Sequence, residues 1–173
     1  YDSLTHVISR EIILNYADWL CQNDKKFTFC LIDIDNFKNV NDSYGHLIGD
    51  RVLVRVANEL SLMLLGKGIV GRYGGDEFIV ILEDIIEYKE IWETFSNLRS
   101  NVSHIIFDEM PELCISITAG MSRMPIDSLN LTDLFEKADK ALYRGKTKGR
   151  SCFIIYLHEK HANIELKTKN DKN

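Results

Sequence analysis

The sequence predicts an α/β domain built on a mixed central β-sheet flanked by helices. Three observations predict it. Short apolar runs of strand length alternate with longer stretches in helical spacing, the pattern of a layered α/β domain. Two of those runs, Gly68-Ile69-Val70-Gly71 and Phe78-Ile79-Val80-Ile81-Leu82, flank a Gly-Gly turn, the signal of an antiparallel hairpin. An antiparallel hairpin inside an alternating pattern makes the sheet mixed, and its apolar strands call for helices on both faces.

The elements follow in order. Residues 8–22 carry apolar side chains at 8, 12, 13, 16, 17, 20 and 21, one broad face of a helix. Phe27 to Ile34 is a short apolar run ending among acids, read as a buried strand. Asn36 to Tyr44 reads as a short helix or turn. Ile48 to Leu65 has helical spacing again, stopped by Gly66 and Gly68. The hairpin follows. Tyr88 to Val102 reads as a helix, and His104 to Phe107 and Leu113 to Met121 as strands. Leu131 to Lys146 reads as a helix capped by Asp127 or Asn130. Cys152 to Leu157 is a last strand. Residues 1–157 thus form one domain, and 158–173, with four lysines, three asparagines and only Ala162, Ile164 and Leu166 apolar, read as a frayed or disordered tail.

Bulk properties narrow the function. At 173 residues, 45% hydrophobic and 27% charged, the chain is long enough for one domain with a sizeable core. A net charge of −5 argues against a broad nucleic-acid or anionic-membrane surface, but leaves room for a nucleotide offset by local cations. Cys21, Cys30, Cys114 and Cys152 show no C-x-x-C spacing and read as buried free thiols in a reducing cytosol. No apolar run approaches the roughly 20 residues of a membrane span, and no signal peptide is visible. The abrupt start at Tyr1 suggests a cytoplasmic domain cut from a longer protein, whose membrane anchorage is left open.

The chemistry concentrates at the hairpin tip, Arg72-Tyr73-Gly74-Gly75-Asp76-Glu77-Phe78. The glycines permit positive φ and close approach of a ligand. Adjacent acids at such a tip repel unless a cation or donor sits there, which points to a metal-assisted phosphate site. A second pair of carboxylates, Asp33 and Asp35, ends the buried strand, where open α/β sheets usually bind ligands. Their i, i+2 spacing puts both on one side of an extended chain. They either cap the next helix or, with Asp76 and Glu77, offer the hard oxygen donors that suit magnesium or manganese on a triphosphate. A third segment, Asn41-Asp42-Ser43-Tyr44-Gly45-His46-Leu47-Ile48-Gly49-Asp50, alone would pass as a turn feeding a helix. Asn41 and Asp50 nonetheless supply the donor and acceptor that a guanine-reading site needs. His46 is open between ligand contact and a packing or capping role. A fourth, basic segment runs from Ala138 to Arg150; its cations also suit a helix C-terminus.

Residues 72–78 match the signature of the GGDEF family, the diguanylate cyclases, and the chain resembles that family over about residues 2–156. The Phe37 to Asp50 run is similar to the family's F-K-x-x-N-D-x-x-G-H-x-x-G-D, and residues 138–150 to A-D-x-A-L-Y-x-A-K-x-x-G-R. The resemblance implies a sheet like that of nucleotidyl cyclases and polymerase palm domains. It implies condensation of two GTP into cyclic di-GMP across a homodimer, with two magnesium or manganese ions per half-site. It assigns metal binding to Asp33, the Ile34 carbonyl, Asp76 and Glu77, and catalysis to Asp76 and Lys38. Substrate contacts fall on Asn41, His46, Asp50, Phe37, Gly74, Gly75, Lys146 and Arg150. Glu77 is open between holding metal and holding the hairpin. An upstream sensor or receiver domain is implied for the full-length protein. A catalytically inactive module that binds GTP or a partner is the competing expectation.

Departures from the pattern bear on regulation. The family's D-x-L-T-G-L-x-N-R appears as Asp2-Ser3-Leu4-Thr5-His6-Val7-Ile8-Ser9-Arg10, with mismatches at His6, Val7 and Ser9. The window for the R-x-x-D product site is Leu65-Gly66-Lys67-Gly68, so no product-inhibition site is expected. Gly145 replaces the usual alanine and is expected to loosen a helix end.

Overall fold

A computed structural model describes residues 1–166. Its centre is a six-stranded mixed sheet formed by β1 (Ile8–Ser9), β2 (Phe27–Ile34), β3 (Gly68–Gly74), β4 (Glu77–Glu83), β5 (Ile117–Met124) and β6 (Phe153–Ile155), in the order β1-β3-β4-β2-β5-β6. The pairs β3–β4, β4–β2 and β2–β5 are antiparallel, whereas β1 and β6 add at the edges in parallel. The helices are α1 (Arg10–Gln22), α2 (Phe37–Tyr44), α3 (His46–Met63), α4 (Tyr88–Ser103), α5 (Leu131–Thr147) and α6 (His158–His161).

Strand alternation assigns the two faces. Cys30, Ile32 and Ile34 of β2, with Phe78, Val80 and Leu82 of β4, pack under α3 and α4. Phe27, Phe29 and Leu31, with Ile79 and Ile81, pack under α1 and α5. Every residue of β2 is buried, as befits a central strand covered on both sides. The same parity carries Asp33 and Glu77 to the α5 side. On β5 that side presents Thr118, Gly120 and Ser122. A Cβ on Gly120 would sit 2.1 Å from the Leu142 amide nitrogen, so only glycine lets α5 come this close.

Several sequence expectations need correction. Ile8 and Ser9 are not helical but extend to pair with Gly71 and Arg72. His104 to Phe107 forms no strand; Ile105 and Phe107 instead anchor an irregular segment by burial in the core. The strand expected at Leu113 to Met121 lies at Ile117–Met124, because β2 sets the register and pairs from Phe27↔Met124 to Ile34↔Ile117. Asn130, not Asp127, caps α5, accepting from the Asp133 amide at 2.9 Å; Asp127 is taken by Arg123. Beyond β6 the segment expected to fray opens with α6, whose His161 is buried and accepts the Leu157 amide on Nδ1 at 2.8 Å. The rest of that expected tail, residues 167–173, lies outside the described residues. The four cysteines are free, but only Cys21 and Cys30 are buried, while Cys114 is exposed and Cys152 half-buried. Among the described residues no helix is long and apolar enough to cross a membrane.

Candidate active site

The C-terminal end of β2 meets the tip of the β3–β4 hairpin. The hairpin turns at Gly75 and Asp76, with Gly75 at φ 56°, a conformation glycine adopts without strain. Arg72 braces the turn by donating to the Gly75 carbonyl from Nε at 3.1 Å and Nη2 at 2.9 Å. The Ile34 amide donates to the Asp76 carbonyl at 3.2 Å and ties the turn to β2. Asp33 pairs in register with Glu77, so both carboxylates stand on one face within the reach of a cross-strand pair.

A cleft of about 490 Å³ opens there. Asp33, Ile34, Asp76 and Glu77 supply its oxygen donors, Lys38 its floor near the start of α2, and Lys146 and Arg150 its cations. Asn36 precedes α2 at φ 56° and, with Phe37 and Asn39, completes the lining. The N-terminus of α2 is thereby presented to whatever anion enters.

Asp33 is 9% exposed and meets Lys146 Nζ at 2.6 Å. Desolvation nevertheless pushes its carboxyl up to about 6; the Lys146 ammonium opposes this, while Asp76 and Glu77 add to it. As placed, no group of three or more His, Cys, Asp or Glu side chains among the described residues forms a metal cage. The donor set still fits a divalent ion that keeps water and phosphate oxygens among its ligands, because such ions need few protein carboxylates. Lys146 stands where that positive charge would act.

Asp35 departs from the expectation that it works beside Asp33 or caps α2. It accepts hydrogen bonds from Thr118 Oγ1 and Ser116 Oγ, both at 2.6 Å, and from the Ser151 amide at 2.9 Å. It therefore fixes the turn Gly149-Arg150-Ser151, in which Arg150 and Ser151 hold φ of 66° and 47°. Gly145 also departs from expectation. It lies buried within α5, where a Cβ would come 2.7 Å from Thr118 Cγ2, so glycine here permits close packing rather than loosening an end.

Other expected residues lie apart from the cleft. Gly74 and Gly75 sit exposed at the hairpin tip. Asn41 lies beyond Phe37 on α2. Its side chain and the Phe37 ring press on Gly49, where a Cβ would meet Asn41 Oδ1 at 1.9 Å and Phe37 Cζ at 3.2 Å. Asp50 faces a larger, more apolar groove of about 740 Å³ between α3, Leu4 and residues 106–108. His46 opens α3 at the surface. Sequence reasoning missed Arg72, Asn36 and the Asp35 anchor. Arg72 could have been suspected, since it adjoins the Gly-Gly pair; no local signal marks the other two.

Comparison with known proteins agrees with this fold. The family model described as "Diguanylate cyclase, GGDEF domain" matches residues 1–152. The diguanylate cyclase DgcZ of Escherichia coli is 35% identical over 158 residues, covering 89% of this chain and 53% of that protein. The chain spans about a quarter to a half of the length of the curated relatives it matches. The GGDEF domain of PA1120 from Pseudomonas aeruginosa superposes with a TM-score of 0.84 at 26% identity, covering 91% of this chain and 94% of that one. The GGDEF domain of DgcB from Caulobacter crescentus, solved in complex with c-di-GMP, gives 0.79 at 28% identity, covering 89% and 94%.

Proposed function

Because the chain belongs to the GGDEF domain family of diguanylate cyclases, we propose that it condenses two GTP into cyclic di-GMP with release of two pyrophosphates. The observation that carries this reading is the register pairing of Asp33 with Glu77 at the Gly-Gly-Asp-Glu tip, within one cleft that also holds Lys38, Lys146 and Arg150. Carboxylates and three cations lining one cleft, with Lys146 already paired to Asp33, match a nucleoside triphosphate whose charge is shared between metal and protein.

Asp33, the Ile34 carbonyl, Asp76 and Glu77 would hold the metal, magnesium or manganese at two per half-site. Bound there, the ions would supply Lewis-acid charge to the α-phosphate and the leaving pyrophosphate. The chain's own residues do the rest. Lys146 leaves Asp33 for the phosphates, and Arg150 and the α2 N-terminus hold their far end. Lys38 offsets charge developing at the reacting phosphate. Asp76 accepts the proton of the 3′-hydroxyl as its oxygen attacks the α-phosphate in line. Phe37, Asn41, Asp50 and His46 take the base end, where Asp50 accepts from guanine N1–H and N2–H₂ and favours GTP over ATP; Gly74 and Gly75 leave room for the backbone to approach the nucleotide.

One subunit presents one nucleotide, so closing a two-bond ring needs two subunits face to face, each 3′-hydroxyl attacking the other's α-phosphate. An upstream sensor or receiver domain in the full-length protein would set that encounter. The test is incubation with GTP and magnesium at high protein concentration, followed by chromatography for cyclic di-GMP and pyrophosphate. A rate rising faster than linearly with protein is expected, and Asp76→Ala should abolish product while leaving the fold intact. GTP binding without turnover, even when dimerisation is forced, would replace this reading by an inactive module that binds GTP or a partner as a regulator.

A further inference from the structure

The sheet edge at β6 carries a second cleft, of about 470 Å³, that the proposed reaction does not use. Its walls combine two chemistries. Tyr88 and Trp92, a turn apart on α4, stack with ring centroids 6.1 Å apart and 18° between planes. Phe153 of β6 meets Trp92 edge-on at 4.9 Å and fixes its tilt. Tyr88 and Trp92 still remain 54% and 49% exposed. Rings held by neighbours and left half in water form a stacking platform for a planar group.

Lys148, Arg150 and Lys160 also line the cleft, and among the described residues no Asp or Glu does. In a chain of net charge −5 this is a local reversal of sign, and it attracts anions. Among the described residues neither Lys148 nor Lys160 forms an ion pair, so both cations are available to a ligand.

We propose that this cleft binds a nucleotide, its base stacked on the Tyr88–Trp92 pair and its phosphate held by Lys148 and Lys160. A cleft of this size suits a ligand of that class. Arg150 lines both this cleft and the carboxylate cleft, on the turn that Asp35 pins. A phosphate that draws Arg150 toward β6 removes a cation from the other cleft, so the two sites oppose one another reciprocally. That coupling rests on the reading of Arg150 as a substrate cation; binding at β6 does not.

The chain has two tryptophans, so Trp19→Phe leaves Trp92 as the only one. Its fluorescence is titrated in EDTA with GMP, guanosine and inorganic phosphate. GMP is expected to quench Trp92 saturably, with guanosine and phosphate each binding about tenfold more weakly or worse. Lys148→Glu with Lys160→Glu should weaken GMP by about tenfold or more. Asp76→Ala should leave the titration unchanged, which separates this site from the reaction; loss of cyclase activity with quenching intact leaves the proposal standing. Saturable quenching by cyclic di-GMP would support a dinucleotide occupant, and quenching by GMP alone a mononucleotide. Quenching that never saturates, guanosine or phosphate binding as tightly as GMP, or indifference to the charge reversals would overturn the site.

Discussion

Arg72 joins the hairpin tip to the start of the chain: the guanidinium that braces the Gly75 carbonyl also meets Asp2 Oδ1 from Nη1 at 3.2 Å. Asp2 further accepts from the Thr5 amide at 2.8 Å and the Thr5 hydroxyl at 2.6 Å. The Asp-x-Leu-Thr turn is thus a buttress for the hairpin that carries Asp76 and Glu77. Desolvation pushes the Asp2 carboxyl up, but the Thr5 hydrogen bonds and Arg72 outweigh it and bring it down to about 2. A depressed carboxylate stabilises the fold above its ordinary value near 4 and loses that contribution as pH falls through about 2. Asp2→Asn should therefore cost about 2 kcal/mol at pH 7, with wild type and variant converging near pH 2 in urea titrations. Equal stability at pH 7 would show that the buttress carries no energy.

Asp33 has the opposite sign. Its carboxyl is raised to about 6, so the protonated form's contribution is fully present below about 4 and lost as pH rises through 6. Without metal, the ionised side chain costs about 3 kcal/mol at neutral pH. Asp33→Asn should be more stable than wild type in EDTA at pH 8, by up to that amount, and the gain should shrink to nothing by pH 4. Denaturant midpoints at the two pH values measure it. A site that stores this much unfavourable charge is one prepared for a cation. Added magnesium should reverse the ranking, because only the wild-type carboxylate gains from it.

The sheet and the large helices were legible because burial imposes periods of 2 and 3.6 on their side chains; β2, α3, α4 and α5 fall where those periods place them. Edges were not. β1 is two residues long and exists because β3 offers a free edge, which no local pattern announces. β5 slid because its register belongs to β2. At the site, residues that sit in recognisable motifs were legible: Asp33, Asp76, Glu77, Lys146 and Arg150, from three separate segments, do share a cleft. The Asp35 anchor was not, since its partners Ser116, Thr118 and Ser151 lie 81 to 116 residues away. The same spacing rule that makes Asp33 a ligand candidate says nothing about which of two neighbouring carboxylates finds hydroxyls waiting.

Lys146 is the only cation paired with Asp33 among the described residues. In Lys146→Met the burial of Asp33 persists and its counter-charge goes, leaving Asp76 and Glu77 to repel it. Its carboxyl should then titrate above 6 in the metal-free protein, followed by carboxyl ¹³C chemical shift. The same variant should raise the KM for GTP more than it lowers kcat, because the lost cation acts on bound phosphate. An unchanged titration would mean that Asp33 does not feel Lys146, and that the 2.6 Å contact contributes nothing to the site's electrostatics.

Gly145 offers the sharpest structural test, because two effects compete there. Alanine would favour the helix by about 1 kcal/mol, yet its methyl would sit 2.7 Å from Thr118 Cγ2 and 3.3 Å from Cys152 Sγ. Thr118 belongs to β5, whose backbone is held by β2, so relief requires its side chain to rotate. Rotation breaks the 2.6 Å bond to Asp35, which in turn holds the Ser151 amide and the Arg150 turn. Overpacking of about 1–3 kcal/mol against fixed neighbours therefore wins. Gly145→Ala should lower Tm by ~4 °C and raise the KM for GTP through the displaced Arg150. Adding Thr118→Ser removes the clashing methyl and keeps the hydroxyl, and should recover both. Wild-type Tm and KM in the single variant would show that the α5–β5 contact yields without reaching the Arg150 turn.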